Sequence, residues 1–231
     1  MWYVAETGST NADLLARPES SDRTVLVAGH QTAGRGRLDR TWEAPPGANL
    51  LASILFRDVP DEPGDLTHAV GIAAVDAVLA VAGAEARLKW PNDVLLDKRK
   101  VAGLLLETVG PETVAIGIGI NLADHPEGTE TPAISVNSAT GRAIDPDDAL
   151  CNLAARFAAW YGTWRSQGFA GLKPHWLKRA SGLGGPIRAR LVDREIKGVF
   201  EDLDHDGALL LRSDAGLTRI TAAEVFLEGL R

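Results

Sequence analysis

A chain of 231 residues, 45% hydrophobic and 24% charged, can bury one sizeable core with a small appendage. Its formal net charge of −7 argues against a general nucleic-acid binder. A single cysteine, Cys151, excludes an internal disulfide and a cysteine-rich metal site and fits a reducing compartment; with no basic, apolar leader and no uncharged run of ~20 apolar residues, a cytoplasmic location is expected.

Residues 2–6 alternate weakly and suggest a strand. Ser9, Thr10 and Asn11 are all good helix N-caps before Ala12-Asp13-Leu14-Leu15, so a helix is expected to start there. These groups either cap alone or face a ligand. The apolar run 24–28 is β-like, and 48–57 is strand-like after Pro45-Pro46-Gly47. Leu66, Ala69, Val70 and Ala73 give helical spacing within 65–82, with apolar residues around most of the circumference, as in a helix buried against a sheet. Pro91 interrupts a strand-like run over 87–96, and 97–99 reads as a tight turn into a second strand at 101–109. Lys89 and Lys100 are then expected near opposite ends of that hairpin.

In the strand over 113–121, Val114, Ile116, Ile118 and Ile120 share one face and Ala115, Gly117, Gly119 and Asn121 the other. The second face is nearly bare backbone, on which either a neighbouring segment or a ligand packs closely. Asp145-Pro146-Asp147-Asp148 starts a helix whose stripe is Leu150, Leu153, Phe157, Trp160 and Trp164, with Cys151 beside it as a small core residue. A further helix over 169–179 carries His175, read as structural or exposed. After the glycine-rich break at 182–186, short strands over 187–192, 196–200, 208–211 and 217–220 predict a small β-barrel docked on the main body.

The most distinctive stretch is His30 to Trp42. Gly34 and Gly36 allow close backbone approach and positive φ. Arg35, Arg37 and Arg40 bring forked cationic donors suited to carboxylate and phosphate, and Trp42 offers a face for a planar ring. A small anionic or nucleotide-like ligand would use all three.

Taken in order, Ser9-Thr10-Asn11, Gln31 to Arg37 with Arg40 and Trp42, Gly47-Ala48-Asn49-Leu50, Lys89-Trp90-Pro91-Asn92-Asp93, Lys100-Val101-Ala102-Gly103-Leu104-Leu105 and Gly117-Ile118-Gly119-Ile120-Asn121 resemble the motifs of the biotin–protein ligases. The resemblance covers nearly the whole chain. It implies an α+β fold: a mixed sheet with packed helices, akin to the class II aminoacyl-tRNA synthetase core, over residues 1–184, and a small SH3-like β-barrel over 185–231. It also implies ATP-dependent activation of biotin as biotinyl-5′-AMP and its transfer to a lysine of a biotin carboxyl carrier domain.

On this resemblance Ser9, Thr10 and Gln31 meet the neutral ureido ring, and Asn11 belongs to the biotin site with them. Gly34, Arg35, Lys100, Gly103, Leu104 and Gly117 complete the biotin site, with Gly103, Leu104 and the glycine face of Gly117 and Gly119 forming a slot for the valeryl chain. Arg35, Arg37, Arg40, Trp42, Asn49, Lys89, Asn92, Lys100 and Asn121 are the ATP and adenylate contacts. Lys89 is the expected electrostatic catalyst, with Arg37 closing the loop over the intermediate. Asp93 positions Lys89, assists Mg²⁺ or receives a proton. Mg²⁺ is expected with ATP, without a dedicated metal cage. The Ser-Thr-Asn motif at residue 9 leaves no room for the DNA-binding domain of some relatives, so neither DNA nor membrane is an expected partner, and a sheet-edge homodimer is compatible. Competing readings are a lipoate or octanoate ligase, whose usual motif is absent, and a catalytically silent binder, which would not need all the phosphate-facing cations. No P-loop spacing occurs.

Overall fold

The computed structural model describes residues 1–38, 40–57, 59, 63–110 and 112–228. Seven strands form a mixed sheet: β1 (Trp2–Val4), β2 (Val25–Ala28), β3 (Leu50–Phe56), β4 (Ala86–Lys89), β5 (Asp93–Leu96), β6 (Arg99–Val109) and β7 (Thr113–Ile120), in spatial order β1-β2-β3-β7-β6-β5-β4. Only β1 and β2 pair in parallel, across the connection that holds α1 (Thr10–Leu15).

Strand alternation assigns the two faces. Leu50, Ala52 and Phe56 of β3, Ala102 and Leu104 of β6 and Val114, Ile116, Ile118 and Ile120 of β7 join one buried core with α2 (Gly64–Ala82) and α4 (Pro146–Arg179). The residues between them, Ser53, Gly103, Gly117 and Gly119, point to the opposite face, where α1 lies. Leu14 of α1 packs there with Leu26 and Leu55 in a small separate cluster.

Helix α2 has the length and mean hydropathy, 1.6, of a membrane span, yet 72% of that window is buried within the protein. It ends at Gly83 in the left-handed conformation (φ 66°), as helix ends favour. The Asp145 carboxylate caps α4 by accepting from the Asp147 amide, with Pro146 in the first turn. Gly168 (φ 61°, ψ −158°) breaks α4, so the two expected helices are one kinked element. Cys151 is exposed, not a core residue: it lies about 100° around the helix from Leu150, outside the buried stripe. His175 is exposed, with its ring 4.7 Å from that of Trp160.

The second sheet is antiparallel, in order β11-β10-β9-β8-β12: β8 (Pro186–Arg190), β9 (Glu195–Leu203), β10 (Leu209–Ser213), β11 (Gly216–Ile220) and β12 (Glu224–Leu227). This is the expected SH3-like part with one strand more than the sequence pattern suggests. It docks as anticipated. Ile187, Phe200 and Leu203 share the main core with Trp90 and Trp176, and the Trp90 indole N–H donates to the Gly207 carbonyl at 3.0 Å.

Candidate functional site

The sheet face bearing α1 holds a cavity of about 270 Å³, roofed by residues 35–38 and 40–42 and closed at one side by residues 223–225 that lead into and begin the second sheet's β12. Its wall changes character from one end to the other.

At the α1 end the groups on the wall are mostly neutral, with the Arg35–Glu107 ion pair beside them. Gln31 Oε1 accepts from the Thr10 amide (2.8 Å) and hydroxyl (3.0 Å). The Ser53 hydroxyl lies 2.6 Å from both Thr10 Oγ1 and Asn11 Oδ1. The Asn11 amide donates to Leu105 O (3.1 Å) and Glu107 Oε2 (2.8 Å), which fixes α1 against β6. Ser9 begins α1 through its backbone, and its side chain caps no amide.

At the other end the wall is cationic. The two oxygens of Asp93, at the start of β5, are held by different lysines: Oδ2 by Lys89 Nζ at 3.3 Å and Oδ1 by Lys100 Nζ at 2.6 Å. Lys89 is only 5% exposed and also donates to Thr131 Oγ1 at 3.1 Å. The expectation that Lys89 and Lys100 stand at opposite ends of one hairpin is therefore corrected. The chain turns twice, at residues 90–92 and at Asp97-Lys98, so β4, β5 and β6 bring both lysines to one carboxylate. Burial works against the Asp93 charge, but the flanking Lys100 and Lys89 ammoniums outweigh it and hold its pKa below the usual carboxylate value. Burial lowers the Arg37 pKa, opposed by Asp93 and Glu224.

The roof is a loop folded on itself. The Trp42 amide donates to Gly34 O (2.9 Å) and the Gly36 amide to Arg40 O (2.7 Å). Neither glycine has a positive φ; Leu38 takes it instead, at 56°. Gly34 is required for close approach, since a Cβ there would lie 2.3 Å from Trp42 O. From this loop Arg35 pairs with Glu107 (3.1 Å), Arg37 donates to Asn92 Oδ1 (3.3 Å) and Arg40 pairs with Glu224. Glu224 and Glu130 in turn share Arg190, tying the roof to the second sheet.

The glycine face of β7 is covered by neighbouring side chains. Cβ atoms at Gly117 and Gly119 would lie 2.9 Å from Asn11 Oδ1 and 2.4 Å from Trp42 Cε2. The Trp42 indole also lies against Gly103, and Lys100 Nζ sits 5.5 Å from its ring centroid. The Trp42 indole N–H and Asn121 Oδ1 are buried with no partner among the described residues, an uncommon state for polar atoms that a ligand would relieve.

The structure thus brings Ser9, Thr10, Asn11 and Gln31 to one end of the cavity. Arg35, Arg37, Arg40, Lys89, Asn92, Asp93 and Lys100 line its charged part. Trp42, Gly103, Leu104, Gly117 and Asn121 lie between. Two expected residues are not on the wall. Gly34 shapes the roof from behind. The Asn49 amide is spent on the chain after β7: its Oδ1 accepts from the Leu122, Ala123 and Asp124 amides and its Nδ2 donates to Asp124 O. Sequence reasoning missed Ser53, Glu107, Glu130, Thr131 and Glu224. Their partners lie far along the chain, and only the inward position of Ser53 on β3 offered a signal. Among the described residues Asp93, Glu130 and Glu224 are each paired with cations of the protein.

The sequence model of the Biotin/lipoate A/B protein ligase family matches residues 3–121, and that of the Biotin protein ligase C terminal domain matches residues 182–228. The chain is 43% identical to a biotin–[acetyl-CoA-carboxylase] ligase of Paracoccus denitrificans, over 98% of this chain and 100% of that protein. It is 38% identical to the ligase of the same name from Mycobacterium tuberculosis, over 96% and 86% of the two chains. Its fold superimposes with a TM-score of 0.87 on the Aquifex aeolicus biotin protein ligase in complex with biotin and ATP, at 27% identity and 98% coverage of both. With the two family models and these relatives matching along the chain, on the same fold, the chain belongs to the biotin protein ligase family.

Proposed function

We propose that the chain works as a biotin–[acetyl-CoA-carboxylase] ligase through the cavity on the α1 face. It activates biotin with ATP and passes it to a lysine of the carboxylase's carrier domain. The observation that carries the assignment of roles is the Lys89–Asp93–Lys100 cluster facing a neutral end built from Ser9, Thr10 and Gln31. The neutral groups suit an uncharged ureido ring, with Asn11 bracing them. Between Asn11 on Gly117 and the Trp42 indole on Gly103, these glycines and Leu104 offer an alkyl chain a strip of close-approaching backbone. Arg35, Arg37, Arg40 and Lys100 face the phosphates, Asn92 holds Arg37, and Trp42 with Asn121 receives the nucleoside.

In the first half-reaction a carboxylate oxygen of biotin attacks the α-phosphorus of ATP. The bond to the β-phosphate oxygen breaks and pyrophosphate leaves with that electron pair. Lys89, buried and aimed by Asp93 and Thr131, lowers the charge that builds between the carboxylate and the α-phosphate. In the second, the neutral ε-amine of the carrier lysine attacks the acyl carbon. The bond to the AMP oxygen breaks, AMP leaves, and the surplus amine proton passes through the departing phosphate to solvent. Asp93, saturated by two ammoniums, is a positioning residue and a poor proton acceptor. Mg²⁺ enters as part of the MgATP substrate.

Residues 1–184 form the catalytic part and 185–231 the SH3-like part, which contributes Glu224 to the roof. The reaction belongs in the cytoplasm, with the carrier domain as protein partner and neither DNA nor membrane taking part. ATP–pyrophosphate exchange with biotin, lipoate or octanoate as the acid tests the proposal. Exchange with biotin alone is expected; exchange only with lipoate or octanoate would overturn the substrate.

A further inference from the structure

A second cavity, of about 320 Å³, lies beside the first, and apart from the wall they share its residues have no part in the roles above. The two share a wall made of Arg37, the turn Trp90-Pro91-Asn92, Leu104 and Leu105. The Arg37–Asn92 hydrogen bond, 3.3 Å long, lies in that wall. The reason for a cavity here is topological. Pairing between β5 and β6 starts at Asp93–Gly103, and only Asn92 extends it, to Leu104. Beyond that point β6 runs on to Val109 with no strand on its β5 side, leaving a notch in the sheet edge. The first turn of α2, with Thr67 and His68, and the turn 206–208 of the second sheet close the notch from outside.

The two cavities differ in charge. The first is lined by Arg35, Arg40, Lys89 and Lys100 in addition to the shared Arg37. The second adds no cation of its own. Its other walls are apolar (Leu106 and Ala208), neutral hydroxyls (Thr67 and Thr221), the buried His68, and Asp206, whose carboxylate also pairs with Arg219. His68 Nδ1 is buried without a partner among the described residues. A polyphosphate would meet the Asp206 carboxylate here and no cation beyond the shared Arg37. An alkyl stem ending in an ammonium suits apolar walls with one acid and no opposing cation beyond the partition.

We propose that this notch is the port through which the carrier's acceptor lysine reaches the acyl-adenylate, with Arg37 and Asn92 as the gate between the two cavities. The proposal rests on the ligase reading and deepens it. Biotin and ATP fill the cationic cavity, so the nucleophile must come from a side that the adenylate does not occupy, and the partition is the one wall the two cavities share beside Lys89 and Asp93. Lysine arriving there parts the Arg37–Asn92 contact and meets the acyl carbon. Water entering by the same route is held out while the contact is closed.

The test plugs the notch without touching the residues assigned to binding or chemistry. Thr221, exposed on the rim, becomes Thr221→Trp; Thr67→Trp is a second, independent plug from α2. Three rates are read: biotin-dependent ATP–pyrophosphate exchange, single-turnover transfer from preformed biotinyl-AMP to an acetyl-CoA carboxylase carrier domain, and aminolysis of the enzyme-bound adenylate by hydroxylamine, which is small enough to pass a narrowed port. Expected are exchange and hydroxylamine aminolysis within about twofold of the unsubstituted protein, and transfer to the carrier reduced at least about tenfold. Unchanged transfer in both variants would overturn the port. Equal losses in exchange and transfer would overturn it too, by locating the effect in the adenylate cavity. Absence of exchange in the unsubstituted protein would instead sink the ligase reading itself.

Discussion

The indole of Trp42 lies so close to Gly119 that a methyl group on that glycine would sit 2.4 Å from Cε2 and 2.7 Å from Nε1. Such spacing admits no side chain. Gly119→Ala is expected to push the indole off β7, costing about 1–3 kcal/mol by overpacking and raising the KM for ATP at least about tenfold. The KM for biotin should move far less, because the neutral end is braced separately by Ser53 and Gln31. An unchanged KM for ATP in a folded variant would remove Trp42 from the nucleotide site.

Lys89→Ala should lower biotin-dependent exchange by about 10²–10³-fold, the usual loss on removing one preorganised charge stabiliser. The fold should survive, since Lys100 still neutralises Asp93 at 2.6 Å. Combining Lys89→Ala with Asp93→Asn should cost less than the sum of the two single losses, because Asp93 acts through Lys89. Additive losses would give Asp93 an independent role.

The Asn49 amide holds three backbone N–H groups of residues 122–124. Asn49→Ala leaves them without that acceptor and should cost about 2–3 kcal/mol, read as a lowered Tm, with the KM for ATP within about twofold. A selective rise in that KM would return Asn49 to the nucleotide site.

Arg37→Gly removes the cation that contacts Asn92 between the two cavities. The intermediate should then escape and label bystander lysines, measured as biotin incorporation into a protein that lacks a carrier domain. Labelling confined to the carrier lysine would argue that Arg37 does not retain the adenylate.

His68 gives stability a pH dependence with a definite sign. Burial lowers its pKa to about 4, partly opposed by Asp206, whereas in the unfolded chain it titrates near ~6.5. Between these values the unfolded chain binds a proton that the folded chain does not, so stability is fully present above ~6.5 and falls as the pH drops towards 4. The total loss is about 3 kcal/mol. Asp93, held below its usual value, contributes its own loss only at still lower pH. Unfolding by urea from pH 7 to 4.5 should show this slope, and His68→Leu should flatten it. An equal slope in both proteins would assign it elsewhere.

Much of this was legible in the sequence where period and local spacing govern. The alternation of β7 assigned Ile116 and Ile118 to the core and Gly117 and Gly119 to the other face, and Asp145-Pro146 marked the start of α4 correctly. What failed depends on partners distant in sequence. Only the pairing of β4 and β6 with β5 brings Lys89 and Lys100 to one carboxylate, and nothing near Glu224 announces that it meets Arg40. The bare face of β7 offered ligand and neighbour as equal readings, and the neighbours on it are Asn11 and Trp42, far from Gly117 and Gly119 along the chain. The strand β12 escaped because its four residues follow β11 without a turn signature.

Gly207 has φ 79°, its carbonyl receives the Trp90 indole, and a Cβ on it would fall 2.1 Å from His68 Nε2. The two sheets are therefore matched parts. A hybrid carrying another ligase's C-terminal segment would inherit a working seam only if a glycine came with it at this position, facing a tryptophan it can bind. Grafts between relatives should succeed or fail on that residue pair before overall sequence identity has any say.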